Sequence, residues 1–310
     1  MKIVTFSENL EALMEIAAKV RESIPMESSI SSITTMKPNM REEMGRYGIN
    51  KLYVIEGLRN IEELIDAIMG ISEREEAKLI ILESNKVNKE IAIKIAVNIG
   101  AGYIADCIDF KIDVDGKLIG KRMVYASKAV ETIKVLSEKA IMTVPRRISE
   151  PKPEWNFTCE IIYEKVKPIE TKTLVIDVKK KELSAVPLES AEVIVAVGRG
   201  VKKKEDCKIM EELAKILGGV ISCSRPVAAD LKWFNEWIGL SGHKVSPKLY
   251  IAVGISGAIQ HLAGIQNAKV VVAINKDSEA PIIKSADYGV VADLYEFIPK
   301  FIERLKSMGK

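Results

Sequence analysis

Small, hydrogen-bonding and charged residues recur directly after apolar β-branched runs in the second half of the 310-residue chain. Gly198, Arg199 and Gly200 follow the run 193–197, and Ser224 and Arg225 follow 220–222. Gly254, Ser256 and Gly257 follow 249–253, Asn275 follows 270–274, and Asp293 follows 289–292. These types suit an anionic, hydroxyl-rich ligand. Glycine lets a backbone approach a phosphate closely. A helix opening near Ser256 would present unpaired N–H groups and the positive end of its dipole to an anion. Arg199 or Arg225 would neutralise a pyrophosphate or a reduced flavin ring, and Asp293 would accept hydrogen bonds from ribose or ribityl hydroxyls. Each residue also has an ordinary use. Tight turns take glycine without a ligand, Asp293 stands where a helix cap is wanted, Asn275 suits a turn, and a lone His261 suits a structural role. The coincidence at five strand ends favours a nucleotide site.

The elements that position these residues alternate strand and helix. Residues 193–197 form a continuous apolar run, as expected for a strand buried on both faces. A helix is predicted over 205–217, closed by Gly218-Gly219, and short strands over 220–222, 249–253, 270–274 and 289–292. A helix is predicted from Ser256 through Leu262, and a closing one over 294–305. In such doubly wound sheets ligands bind at the carboxyl ends of the strands, so all five strand ends face one rim.

The first half has the same β-α-β-α grammar. Strands are predicted over 1–6, 52–55 and 79–82, with helices around Leu10, Met14, Ala17 and Ala18 and over 61–69. Ser84 is the expected cap of a helix with the apolar face Val87, Ile91, Ile95 and Ile99, ended by Gly100 and Gly102. Asp115-Gly116 between the alternating runs 107–114 and 118–125 predicts a hairpin. Residues 145–155 read as a connecting loop and 173–178 as a strand. The fold class is therefore α/β, in two domains each with a mostly parallel sheet flanked by helices. The expected domains are 1–188 and 189–310.

Composition narrows the function classes. Hydrophobic residues make up 47% and charged ones 29%, with net charge +3, so nothing pushes toward nucleic acid or an anionic membrane. No apolar run reaches the roughly 18 residues that span a bilayer, and no leader pattern precedes the first strand; a cytoplasmic protein is expected, with no membrane insertion. The four cysteines, Cys107, Cys159, Cys207 and Cys223, show no C-x-x-C spacing, so no metal is expected. Only two histidines occur, His243 and His261, and there is no nucleophile elbow, Walker loop or metal-binding His pair. G-x-G-x-x-G is missing too, which argues against the standard dinucleotide fingerprint. A nucleotide site without an acid, base or nucleophile suits a carrier whose cofactor does the chemistry.

Val197-Gly198-Arg199-Gly200-Val201, Ser224-Arg225-Pro226, Gly239-Leu240-Ser241-Gly242, the segment LYIAVGISGAIQHLAG from Leu249 to Gly264, VVAINKD from Val271, Glu279-Ala280-Pro281-Ile282, Ala286-Asp287-Tyr288-Gly289 and Asp293-Leu294 stand in order. Together they resemble the alpha subunit of electron-transfer flavoproteins, densely over 192–301 and more thinly in the first half. The resemblance implies a Rossmann-like second domain holding one FAD and a nucleotide-hydrolase-like first domain contacting a beta subunit. That partner would carry AMP or a second FAD. The cofactor-binding positions it implies are Arg199, Ser224, Arg225, Ile238, Gly239, Leu240, Ser241, Ser256, Gly257, Ala258, Ile259, Gln260, His261, Asn275, Asp293 and Leu294. Among them Arg199 would serve the phosphate and nucleotide end, Ser224 and Arg225 would stand beside the isoalloxazine, and Ser256 to His261 would wrap the pyrophosphate and ribityl side, with His261 approaching the carbonyl edge of the flavin ring. Ser241 would lie near flavin N5, and Asn275 and Asp293 would hold the adenosine half. Arg225 and His261 would tune the flavin, and no residue is implied to be catalytic.

Many relatives of this kind carry Gln-Thr where this chain has Leu240-Ser241, so a polar contact is lost or passes to the backbone. An apolar residue there looks like the nitrogen-fixation-associated and bifurcating branch. The reading is an electron carrier between a donor dehydrogenase and a quinone reductase or other acceptor oxidoreductase. The alternatives are the shuttle subunit of a flavin-based bifurcating complex and an interaction subunit without flavin. Trp233, Phe234 and Trp237 are open to two uses, local core filling or an aromatic edge against partner or flavin.

Overall fold

The computed structural model describes residues 1–24, 27–37, 43–125, 128–169 and 187–308. Its packing divides the chain into two compact units, Met1–Lys179 and Lys180–Lys310. The predicted strand 173–178 lies outside the described residues, as does the point of division. Leu188 and Ala191 are buried in the core of the second unit.

The first unit runs β1 (Lys2–Phe6), α1 (Leu10–Ser23), β2 (Ser29–Thr34), α2 (Glu43–Arg46), β3 (Lys51–Glu56), α3 (Ile61–Arg74), β4 (Leu79–Glu83), α4 (Lys86–Ile99) and β5 (Gly102–Ile104). It continues with β6 (Cys107–Ile112), β7 (Leu118–Val124), β8 (Ala129–Lys134), β9 (Ala140–Val144) and β10 (Glu160–Lys165). Seven strands form a wholly parallel sheet in the order β10-β3-β2-β1-β4-β9-β5. One face buries α1, α2 and the β6–β7 hairpin, and the other buries α3 and α4.

Most predicted elements are present, with informative differences. The α4 cap is Asn85, whose side chain accepts from Asn88 N; Ser84 instead bonds the Asp106 carboxylate. The buried face of α4 is Asn88, Ile91, Ala92, Ile95 and Ala96, while Val87 is 55% exposed. At about 100° per residue the stripe 88, 91, 92, 95 and 96 centres close to position 88, which leaves Val87 roughly 100° to one side of it. Gly100 ends the helix in the left-handed region (φ 63°), whereas Gly102 already belongs to β5. The Asp115-Gly116 hairpin forms as predicted, with Asp113 Oδ1 accepting from Asp115 N at 3.0 Å and Lys117 N at 2.8 Å. A third strand, β8, extends it into a small antiparallel sheet, unpredicted because its residues are largely exposed. Strands β2, β9 and β10 were likewise not foreseen. SISSIT in β2 has too few apolar residues to read as a buried strand, yet five of its six residues are buried.

The second unit runs β11 (Val193–Val197), α5 (Cys207–Ile216), β12 (Val220–Cys223), α6 (Arg225–Ala229), β13 (Leu249–Val253), α7 (Ile259–Ile265), β14 (Val270–Asn275), α8 (Pro281–Ser285), β15 (Tyr288–Val291) and α9 (Leu294–Ser307). Its five strands are all parallel, in the order β12-β11-β13-β14-β15. Helices α5, α6 and α9 close one face; α7, α8 and the residues around Val245 close the other. The short helices α6 and α8 were not predicted. The helix expected from Ser256 begins only at Ile259, since Gly257 has φ 86° and interrupts helical backbone.

The chain leaves β11 toward β12 on one side and returns to β13 on the other, so the direction of winding reverses between β11 and β13. A doubly wound sheet opens a crevice at that reversal. Gly257 helps set its wall: a Cβ there would lie 2.3 Å from Ile282 N in α8. Both the positive φ and the missing space disfavour any side chain. Gly257→Ala is expected to lower the unfolding free energy of the second unit by about 2 kcal/mol or more, measured by urea denaturation; an unchanged midpoint contradicts the packing.

Candidate functional site

The rim over β11 and β13 is built from backbone in contact with backbone. Gly198 N donates to Val253 O at 2.8 Å and Gly200 N to Gly254 O at 3.0 Å. A Cβ on Gly198 would come within 2.2 Å of Gly254 O, and one on Gly200 within 2.7 Å of Gly254 Cα. Gly254 itself has φ 62°. Beyond this contact residues 255–260 form a turn over 255–258 and enter the first turn of α7 at Ile259 and Gln260. Their backbone N–H groups have no acceptor among the described residues, and no side chain caps α7. Successive open N–H groups on glycine-shaped turns attract anions.

The cations predicted for this rim are present and uncommitted. Arg199 follows β11, and Arg225 opens α6 after β12; both are exposed, and neither has an ion-pair partner among the described residues. Ser224, 7% exposed, stands at the cap position of α6, yet its hydroxyl makes no capping bond. Ser256, Ala258, Ile259 and Gln260 are exposed on the rim, and Gly257 is buried beneath them.

Asn275 and Asp293 hold structural positions as well. Asn275 Nδ2 donates to Ile255 O at 2.7 Å, while its Oδ1 accepts from Asp277 N at 3.0 Å. It therefore ties the end of β14 to the turn after β13. Asp293 caps α9, accepting from Tyr295 N at 2.8 Å. The side chain of Leu294 lies in the core, leaving only its backbone at the rim.

The segment from Ile238 to Ser241 approaches from the α7 side. Gly239 N donates to His243 O at 3.0 Å and Leu240 N to Gln260 O at 2.8 Å. Leu240 is 49% exposed and Ser241 is exposed, so the apolar side chain at 240 is not part of the core. Ile238 is buried, and its carbonyl accepts from Nδ1 of His261 at 3.1 Å. Nε2 of His261 lies 2.8 Å from the hydroxyl of Tyr250. Tyr250 was missed at the level of sequence. Its signal was a phenol inside the buried run LYIAV, since a buried tyrosine O–H needs a partner. Trp233, Phe234 and Trp237 pack half-buried against the core containing α5 and α9. Trp237 Nε1 is a buried donor without a partner among the described residues, and Gly242 lies against its ring.

Elsewhere the reactive side chains are quiet. All four cysteines are free, and burial pushes their thiols up, to about 11 for Cys107, Cys159 and Cys207 and about 12 for Cys223. No cluster of metal-ligating side chains occurs among the described residues. No described helix is long and apolar enough to cross a membrane.

Fold and rim together define a two-unit α/β protein whose second unit, among the described residues, leaves backbone N–H groups and two exposed arginines open at the reversal of a doubly wound sheet. Residues 6–175 match the family model described as the electron transfer flavoprotein domain, and residues 187–266 match the electron transfer flavoprotein FAD-binding domain. The electron transfer flavoprotein subunit alpha of Bacillus subtilis is 36% identical over 277 residues, covering 87% of this chain and 85% of that protein. The subunit of the same name from Thermoanaerobacterium thermosaccharolyticum is 34% identical, covering 87% and 84%. The lactate dehydrogenase (NAD(+),ferredoxin) subunit LctC of Acetobacterium woodii is 32% identical over 310 residues, covering 94% and 73%. The chain belongs to the electron transfer flavoprotein alpha-subunit family. Asn275, Asp293 and Leu294 lie beyond the matched span of the FAD-binding domain.

The buried imidazole makes the second unit sensitive to acid. Burial lowers the pKa of His261 from 6.5 to about 4, against a smaller opposing effect of its bond to Ile238. Between these values the unfolded chain binds the proton and the native state does not, so stability falls as pH falls. The contribution of His261 is complete above about pH 6.5 and is lost progressively toward pH 4. Urea unfolding at pH 7 and pH 4.5 is expected to show this drop, reduced in His261→Gln.

Proposed function

We propose that this chain is the FAD-holding alpha subunit of an electron carrier. The observation that carries the reading is the run of open N–H groups over residues 255–260, in a unit that matches the family's FAD-binding domain. The residues present fit that cofactor. The turn 255–260, with Gly257 at its bend, receives the pyrophosphate, and Arg199 adds positive charge at the nucleotide end. Ser224 and Arg225 stand beside the isoalloxazine, where the free guanidinium favours the electron-rich reduced ring. Ser241 offers a hydroxyl near N5, and the backbone of Ile238, Gly239 and Leu240 lines the same side. Asn275, the open oxygen of Asp293 and the backbone of Leu294 serve the adenosine half. Bound FAD would supply reversible uptake and release of electrons; the protein's part is to bind it, shield it and set the charge around it.

In this reading residues 1–188 contact a beta subunit that carries AMP or a second FAD, and residues 189–310 hold the flavin. Electrons come from a donor dehydrogenase and leave to a quinone reductase or another acceptor. Four free thiols suit the reducing cytoplasm. A second reading, the shuttle subunit of an electron-bifurcating complex, is supported by the similarity to LctC along 94% of this chain.

The purified chain, alone and with its beta subunit, is expected to be yellow and to release one FAD per alpha chain on denaturation. A second FAD in the complex favours the bifurcating form, and a colourless complex that refuses added FAD overturns both. Arg225→Ala removes a positive charge from beside the reduced ring, so the midpoint potential is expected to fall, on the order of tens of millivolts. A potentiometric titration without a shift rejects this role of Arg225.

A further inference from the structure

His261 and Tyr250 form a closed internal chain that the binding of an anion does not require. The carbonyl of Ile238 can only accept, so Nδ1 of His261, 3.1 Å away, carries a hydrogen. In a neutral imidazole Nε2 is then bare and can only accept. The Tyr250 hydroxyl at 2.8 Å therefore donates to it. One carbonyl thus fixes both the tautomer of the histidine and the direction of the tyrosine proton. The opposite tautomer would set Nδ1 and the Ile238 oxygen against each other, two acceptors out of reach of water. Tyr250 is 0% exposed and His261 6%, so neither partner is readily replaced by solvent.

The chain joins three segments. Tyr250 lies in β13, His261 in α7, and Ile238 opens the segment that carries Gly239, Leu240 and Ser241. Two other contacts act across the same joint. Leu240 N donates to Gln260 O at 2.8 Å, and a Cβ on Gly264 would lie 2.6 Å from Gly239 Cα. Ile238 N also reaches Cys223 O at 2.9 Å, next to Ser224. The imidazole is the crosspiece between the 238–241 segment and the turn 255–260.

We propose that Tyr250 is a positioning residue of the flavin site: its buried hydroxyl holds the neutral, Nδ1-protonated form of His261, and that ring sets the spacing between the 238–241 segment and the turn 255–260. The proposal rests on the FAD reading. It assigns His261 an effect through position and leaves the positive charge of this rim to Arg199 and Arg225.

The test has two parts. Nitrogen-15 NMR of the imidazole in the wild-type chain is expected to show His261 neutral and protonated on Nδ1 at pH 7. A proton on Nε2, or a charged ring, overturns the chain of hydrogen bonds, whether or not flavin binds. The second part is a double-mutant cycle in the complex with the beta subunit, using Tyr250→Phe, His261→Gln and both together. Tyr250→Phe is expected to weaken FAD binding about tenfold and to shift the flavin potential. Neither change should add to that of His261→Gln, because Tyr250 acts through His261. Additive losses, or a lowered melting temperature with unchanged FAD affinity and potential, mean that Tyr250 only fills the core and overturn the proposal. A wild-type complex that takes up no FAD overturns the flavin reading itself, and the NMR result still decides the hydrogen-bonded chain.

Discussion

The second unit depends on a contact that tolerates no Cβ. The turns after β11 and β13 touch backbone to backbone at Gly198, Gly200 and Gly254, and two N–H···O bonds stitch them together. This contact fixes how far apart Arg199 and the turn 255–260 can be. The N–H groups of residues 255–258 have no acceptor among the described residues, and those of Ile259 and Gln260 are open as the first of α7. Asn275 adds a third tie through Ile255 O, and α8 a fourth through Ile282 N donating to Ser256 O at 3.2 Å. A rim so constrained pre-organises donors, and pre-organisation reduces the ordering cost of binding.

The first unit shows what the same winding gives with different residues. Its direction reverses between β1 and β4, where the strand ends carry Ser7 and Glu83. The Ser7 hydroxyl donates to the Glu83 carboxylate, whose pKa burial raises, and Arg146 nearby is held by Glu11 and Glu15. Here polar groups at the reversal satisfy one another, whereas in the second unit backbone donors and two arginines remain uncommitted. The winding reverses in both sheets, and the residues decide which polar groups are left open there.

How much was legible in the sequence follows from which signals are local. Buried parallel strands such as β11 and β13 announce themselves as apolar runs, and the hairpin at Asp115-Gly116 by its turn chemistry. Strands β2 and β8 did not, because SISSIT buries small hydroxyl residues and β8 is mostly exposed, so neither carries a periodic apolar pattern. Ser84 and Asn85 are both good caps by type, and only the position of Asp106 decides that Ser84 bonds elsewhere.

For the site, the sequence by itself determined which residues stand at the strand ends, because a buried strand followed by glycine, serine or arginine is a feature of neighbouring positions. Tertiary structure alone decided the partners: that Asn275 ties a turn, that Asp293 caps α9, that Leu240 is exposed, and that Tyr250 and His261 face each other under Ile238. Those pairings join residues on different strands and turns, and their hydrogen bonds exist only once the sheet has set the distances between them.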